Sequence, residues 1–476
     1  MPQPARQVAR RIGGVNSQQH QKSKLKFAPE AILFGLFFIW LTVCVQFYRH
    51  HDGVLDQPKQ PQQQQAKPSL DGDSAPNIRI NVPDTTAKSN NFPEHYMTFS
   101  TACSASQNWQ AFMFFYYAHK VQQPGHVIRI ASACSEQQQE EIIKFHETTI
   151  SKLSSKFSVH FTPDFSKVSG DNYKYYNKPF GIQHWLEHGM KYTENKDKLE
   201  DAIIMILDPD MILLRPLTYD FTDSNVLIHK SKKGAPKIRK VMHGQPWASL
   251  YAFGDGPFRS VDLKHVFANH TNSPALRATK EEQSNNYPGG PPYMATGRDM
   301  YAIVTVWCEL VTRVHKVHPG LLGEMFGWSL AVAHLGLPHT LATSFMLSNV
   351  DVGETEGFPL IDALEQDDIC KLPTSIETED KLPYVIHYCQ MYWLGEWLVS
   401  KYNIASSFFS CEEPLLIEPP KDTGPAGEPR GIRKRRIRPT TVKREQFVIC
   451  QMILRLNDAA TWFKDQTCDD GTANYT

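Results

Sequence analysis

Apolar residues in this chain fall in short continuous runs separated by helical stretches. The run "HYMTFSTACS" (95–104) reads as a strand, "NWQAFMFFYYAHKV" (108–121) as a buried helix and "HVIRIAS" (126–132) as a second strand. "EQQQEEIIKFHETTI" reads as an exposed helix, "FSVHFTP" (157–163) as a third strand, and "KPFGIQHWLEHG" as a helix with Pro179 near its first turn. "DAIIMILDPD" is then a fully apolar strand. Continuous apolar strands alternating with helices predict a parallel sheet covered on both faces, and hence an α/β fold. Further on, Ile303, Trp307, Leu310 and Val314 mark one stripe of a helix over 299–317. The run 321–337 predicts a buried helix stopped at Gly336, and "LPYVIHYC" (382–389) a strand. "FVICQMILRLNDAATWF" has helical spacing and is expected to pack back onto the domain.

Before the first strand the pattern is different. Arg6, Arg10, Arg11, Lys22, Lys24 and Lys26 form a basic arm without acids, followed by seventeen largely apolar residues, "AILFGLFFIWLTVCVQF" (31–47). That length just crosses a hydrocarbon core of about 30 Å. The basic flank predicts a cytoplasmic N-terminus. A cleaved signal peptide is the competing reading, but no clear small-residue cleavage site follows Phe47. The expectation is a single-pass type II membrane protein of the Golgi or ER, with everything after about His50 in the lumen. "QPKQPQQQQAKP" and its surroundings hold too few apolar residues to fold, so they read as a stem. The expected organisation is a basic tail (1–28), a transmembrane signal-anchor (29–48), a disordered stem (49–91), one main domain (92–417), a Pro/Gly-rich then basic linker (418–445) and a helical segment (446–476).

Charge and cysteine content narrow the classes. Lys plus Arg and Asp plus Glu number 50 each, so no global basic field exists to hold nucleic acid. The eight Lys and Arg between Arg430 and Arg444 read as a solvated tail, with a processing site or an acidic-polysaccharide patch as alternatives. Beyond Cys44 stand Cys103, Cys134, Cys308, Cys370, Cys389, Cys411, Cys450 and Cys468, an even set that suits disulfides, with the pairing open. No CxxC pair supports a zinc site. Asn269-His270-Thr271 and Asn474-Tyr475-Thr476 fit the N-glycosylation pattern.

The candidate chemistry lies in "AIIMILDPDMILLRPL", where Asp208 and Asp210 interrupt an oily run at a strand end. In open α/β sheets that end is where ligands bind. Residues two apart on extended backbone point the same way, so both carboxylates can address one ligand. Together they suit a divalent cation that also holds phosphate oxygens. A plain surface turn is the bland alternative. A haloacid-dehalogenase-type phosphatase, with Asp208 as nucleophile, is another. Ile212 at the position where Thr or Val is usual, and more than a hundred preceding residues, count against the phosphatase. A non-catalytic Golgi sugar-binding protein is the third reading.

The segments "TFSTACSASQNWQ", "QPGHVIRIASACS", "YNKPFGIQHWLEHG", "ILDPDMILLRPL", "PPYMATGRDMYAIVTVWCELVTRVH", "GEMFGWSLAVAHLGLPH" and "LPYVIHYCQ" resemble, in order and spacing, the peptidyl hydroxyproline O-arabinosyltransferases and peptidyl serine α-galactosyltransferases. The resemblance covers roughly His95 to Tyr402. It implies a GT-A-like domain with a mostly parallel sheet, a UDP-sugar donor and Mn²⁺. The reaction would move arabinofuranose or galactose to a hydroxyproline or serine hydroxyl of a protein. Asp208 and Asp210 would be metal ligands, Asp208 also near the ribose, with His387 as the third ligand. Lys178 would meet the diphosphate, with Asn177 and Gln245 also on the donor. Glu324, a lone acid in an apolar helical stretch, is the expected general base of an inverting enzyme. Gln245, Trp247, Trp185 and Trp328 are candidate lining for sugar or acceptor, although such aromatics are more often core. Asp208 and Met211 stand where the land-plant arabinosyltransferase branch tends to have Glu and His, so the motif leans toward the galactosyltransferases.

Overall fold

A computed structural model describes residues 93–475, apart from 230–238, 374–380, 395–396, 420–428, 431–434, 437–438 and 470. The apolar runs form strands where the pattern puts them: β1 (His95–Thr101), β2 (His126–Ser132), β3 (Phe157–Thr162) and β4 (Ile203–Leu207). Between them lie helices α1 (Ala105–Lys120), α2 (Glu136–Thr148) and α3 (Asn177–His184). The start of α2 is fixed by a capping box in which Ser135 and Gln138 exchange side-chain and backbone hydrogen bonds.

After β4 come β5 (Met211–Leu213), β6 (Trp247–Leu250), β7 (Gly289–Thr296), β8 (Thr340–Ala342), β9 (Met346–Leu347) and β10 (Val385–His387). The main sheet runs in the order β3-β2-β1-β4-β7-β6-β8. β7 pairs antiparallel with both neighbours, and every other pairing in this sheet is parallel. A mixed α/β fold with a parallel-rich sheet fits the GT-A-like expectation. A second, three-stranded sheet runs β5-β10-β9.

Alternate residues of the central strands feed two separate cores. Met97, Phe99, Met205 and Leu207 face one, with α1; Tyr96, Ile128, Ile204 and Ile206 face the other. Both faces are covered, which is why these strands read as unbroken apolar runs. The second core is closed by helices α4 (Gly297–Val317) and α5 (Gly323–His334), with the stripe Ile303, Trp307, Leu310 and Val314 fully buried. The long helix α6 (Pro439–Thr467) adds Val448, Met452, Ile453 and Leu456 to the first core. Tyr117 donates to the Arg455 carbonyl and to Asp458, tying α1 to α6. Disulfides join Cys103 to Cys134, Cys370 to Cys450 and Cys411 to Cys468, while Cys308 and Cys389 are free thiols.

The membrane expectations are corrected here: the transmembrane helix in the fold class, the membrane as a partner, and the single-pass Golgi or ER location. Among the described residues no helix is long and apolar enough to cross a membrane. The helices with the length carry charge: α4 has Arg298, Asp299, Glu309, Arg313 and Lys316, and α6 has Lys443, Arg444, Arg455, Asp458 and Lys464. The apolar helices α1 and α5 have only 16 and 12 residues, and their apolar side chains are spent on the core. The stretch 29–48, with the tail and stem on either side, lies outside the described residues, as does most of the linker 418–445.

Candidate active site

The strand order reverses beside β1: the chain steps outward to β2 and β3, then returns to place β4 on the other side. Such a switch point leaves a crevice beyond the carboxyl ends of the strands. β4 ends at Leu207, so Asp208 and Asp210 emerge into that crevice. β5 resumes at once with Met211 and pairs antiparallel with β10, setting His387 opposite Met211 and Ile386 opposite Ile212. The Tyr388 amide donates to the Asp210 carbonyl. This register brings together residues that are 177 positions apart in sequence.

The imidazole Nε2 of His387 lies 3.1 Å from Asp210 Oδ1 and 3.9 Å from Asp208 Oδ2. One ligand atom from each of the three residues falls within 4.8 Å of the others. Two carboxylates and one imidazole are a donor set that suits a first-row divalent cation. The outer nitrogen of His387, Nδ1, faces the Tyr251 hydroxyl at 3.4 Å, a contact that holds the ring with Nε2 toward the acids. The residues present therefore fit a metal site.

Each acid also has its own lysine. Lys178 Nζ is 2.6 Å from Asp208 and 3.3 Å from Glu324, and Lys401 Nζ is 2.6 Å from Asp210. Burial would raise the Asp210 carboxyl, yet Lys401 and His387 hold it well below the usual carboxylate range. Burial would depress His387, but Cys389 and Asp210 raise it well above its usual value. Glu324 goes the other way. Its burial, only partly offset by Lys178 and reinforced by Asp208, pushes its carboxyl up to about 7.

Asp208, Asp210, His387, Lys178 and Glu324 thus converge. Asn177 and Gln245 do not. Asn177 accepts from the Phe165 amide and donates to Asp164, so its amide is used in fixing that loop. Gln245 is two residues before Trp247, which is level with Met294; Met294 in turn is level with Met205, the middle residue of β4, so Gln245 is level with the start of β4. Gln245 is therefore at the opposite end of the sheet from Asp208. Trp185, Trp247 and Trp328 are fully buried: Trp328 stacks on Tyr293 at 3.9 Å and Trp247 packs on Phe221 at 4.7 Å. They are core residues. Sequence reasoning missed Lys401 and Tyr251. "VSKYN" carries no motif around its lysine. For Tyr251 a signal existed in Gly290, where a β-carbon would collide with the tyrosine ring, since glycine inside a strand marks a close approach.

No family model matches the chain. It is 25% identical over 271 residues to a peptidyl serine alpha-galactosyltransferase of Arabidopsis thaliana, covering 54% of this chain and 28% of that protein. It is 31% identical over 123 residues to one of Chlamydomonas reinhardtii, covering 25% of this chain and 14% of that protein. The chain thus spans under a third of the length of these relatives. Among solved structures it is similar to the bifunctional glycosyltransferase WbbM (TM-score 0.34, 9% identity, 63% of this chain and 46% of that one). It is also similar to the galactosyltransferase LgtC (TM-score 0.30, 10% identity, 62% of this chain and 87% of that one). The chain is thus similar in sequence to peptidyl serine alpha-galactosyltransferases over about half of its length.

Proposed function

We propose that this domain transfers galactose from UDP-galactose to a serine hydroxyl of a protein, with Mn²⁺ held by Asp208, Asp210 and His387. The observation that carries this reading is the convergence of those three ligand atoms within 4.8 Å at the carboxyl end of β4. The relatives' names favour galactose and serine over arabinofuranose and hydroxyproline. A bound divalent cation would neutralise the charge that develops on the departing diphosphate.

The chain's own residues do the rest. Lys178, held between Asp208 and Glu324, presents an ammonium to the diphosphate at the switch point. The relatives' name specifies an α-galactoside, and UDP-galactose is itself α-linked, so the proposed transfer keeps its configuration. In a retaining transfer the diphosphate oxygen that leaves is on the face where the hydroxyl arrives, and it can take the hydroxyl proton. Glu324 then need not serve as the base expected of an inverting enzyme. Its role in this reading is to hold Lys178 in place.

The test is a thermal-shift panel of Mn²⁺ with UDP, UDP-galactose, UDP-arabinofuranose or GDP, on the wild type and Asp210→Ala. A UDP-plus-Mn²⁺ shift that disappears in the variant is expected, with UDP-galactose the best sugar donor. Folded protein that responds to no nucleotide would sink the reading.

A further inference from the structure

Two lysines face three acids in the crevice, and their pairing is asymmetric. Lys178 has two carboxylate partners, Asp208 and Glu324, on β4 and α5 sides of the site. Lys401 has Asp210 as the acid it pairs with among the described residues, and its ammonium also lies over the Tyr402 ring, 5.3 Å from the centroid. It follows a hairpin of strands β11 (Met391–Leu394) and β12 (Trp397–Ser400). The side chains concerned are largely removed from water, at 12% exposure for Lys178, 15% for Lys401, 22% for Asp208 and 7% for Asp210.

A divalent cation arriving at Asp210 meets a carboxylate whose Oδ2 is already held by Lys401 and whose Oδ1 faces His387. Full use of Asp210 as a ligand requires Lys401 to give way. A lone divalent cation adds two positive charges to a crevice whose acids already have lysine partners, and uncompensated buried charge is costly. A cation that arrives with the diphosphate of a nucleotide sugar adds none, because the diphosphate brings two negative charges. The diphosphate also offers the displaced ammonium a new partner of the same kind as the one it loses.

We propose that Lys401 is an exchangeable counter-ion of the candidate metal site, leaving Asp210 to the divalent cation and passing to the diphosphate, so that cation and nucleotide bind as a neutral pair. This inference rests on the metal-site reading above. Lys401 is the residue that moves because Lys178 keeps Glu324 as a second partner and Lys401 has none like it among the described acids.

The experiment measures Mn²⁺ binding to the full chain by the electron paramagnetic resonance signal of free Mn²⁺, with and without UDP. It uses the wild type, Lys401→Met, Lys401→Arg and Asp210→Ala. Lys401→Met should bind Mn²⁺ alone about tenfold more tightly than the wild type, and UDP should improve Mn²⁺ binding about tenfold less. Lys401→Arg should restore both wild-type behaviours. Wild-type binding that is lost in Asp210→Ala but unaltered or weakened in Lys401→Met, with the UDP effect intact, would make the ion pair purely structural and overturn the inference alone. Failure of the wild type to bind Mn²⁺ even with UDP would overturn the inference and the metal site together. A second readout uses the unmutated protein. The rate of Lys401 acetylation, followed by peptide mass spectrometry, should rise with saturating Mn²⁺ and fall again when UDP is added. A rate indifferent to both overturns the inference whatever the variants do.

Discussion

Both ends of β4 carry an acid beside a histidine, and only one of them has the makings of a reaction centre. At the amino end, Asp201 pairs with His243 Nε2 at 2.7 Å, but the aspartate side chain is 79% exposed. Water solvates both members, so the pair is an ordinary surface contact worth little. At the carboxyl end, Asp210 pairs with His387 at 3.1 Å and Lys401 at 2.6 Å with its side chain 7% exposed. There the protein must supply what water no longer does, and every acid has a cation within reach. The acid–histidine distance is, if anything, shorter at the inert end. Burial combined with internal charge balance distinguishes the two ends, and proximity does not.

Removing Asp210 should break the comparison most severely. Asp210→Ala takes away a proposed metal ligand and leaves Lys401 buried without its acid. The proposed galactosyl transfer should fall by about 10³-fold or more, the equivalent of several kcal/mol. Unfolding by denaturant should show a loss of about 3 kcal/mol. A variant with transfer within a few-fold of the wild type would refute the assignment. Tyr251→Phe should come next, lowering Mn²⁺ affinity about tenfold in a titration while leaving the fold intact, because it frees the outer nitrogen of His387. An unchanged affinity would mean that the ring is oriented by packing alone.

Glu324→Gln separates the two roles open to that residue. As the holder of Lys178 it should cost about tenfold in turnover, with the pH profile unchanged; a general base would cost about 10² to 10⁴ and remove an acidic limb. The same variant has a stability signature. A carboxyl raised from 4.5 to about 7 holds its proton over a wider pH range in the folded state, so the folded chain binds more protons than the unfolded one across that interval. Its contribution is fully present below about pH 4.5 and is lost as pH rises through 7, and Glu324→Gln should become the more stable protein toward pH 8. Wild type and variant with parallel stability curves from pH 5 to 8 would contradict the buried, raised carboxyl. The smallest effect belongs to the amino end: His243→Ala should shift stability by about 0.5 kcal/mol or less and leave metal binding alone. A large loss of Mn²⁺ affinity there would erase the distinction between the two ends.

Much of the architecture could be read from local pattern. The strands at 95, 126, 157 and 203, the helices carrying Ile303 and Trp328, and the C-terminal helix all follow from apolar runs and helical stripes, because burial on both faces leaves a mark in every residue of the run. β6 and β8 were not anticipated. They are short, and their partners lie far away in sequence, so no local period announces them. Burial also explains why the tryptophans named as sugar lining turn out to be core, since an aromatic reads alike in either place.

By itself the sequence determined the α/β alternation and the two carboxylates at a strand end, which depend on neighbours within a few positions, and it carried a resemblance to glycosyltransferases in motifs spread along the chain. The tertiary structure decided which distant groups complete them. The antiparallel register of β5 with β10 delivers His387, and the turn after β12 delivers Lys401, while the course of β6 carries Gln245 to the far end of the sheet. Those choices rest on pairing between segments up to 191 positions apart, and the pattern around any one residue holds no record of its partner across such a distance.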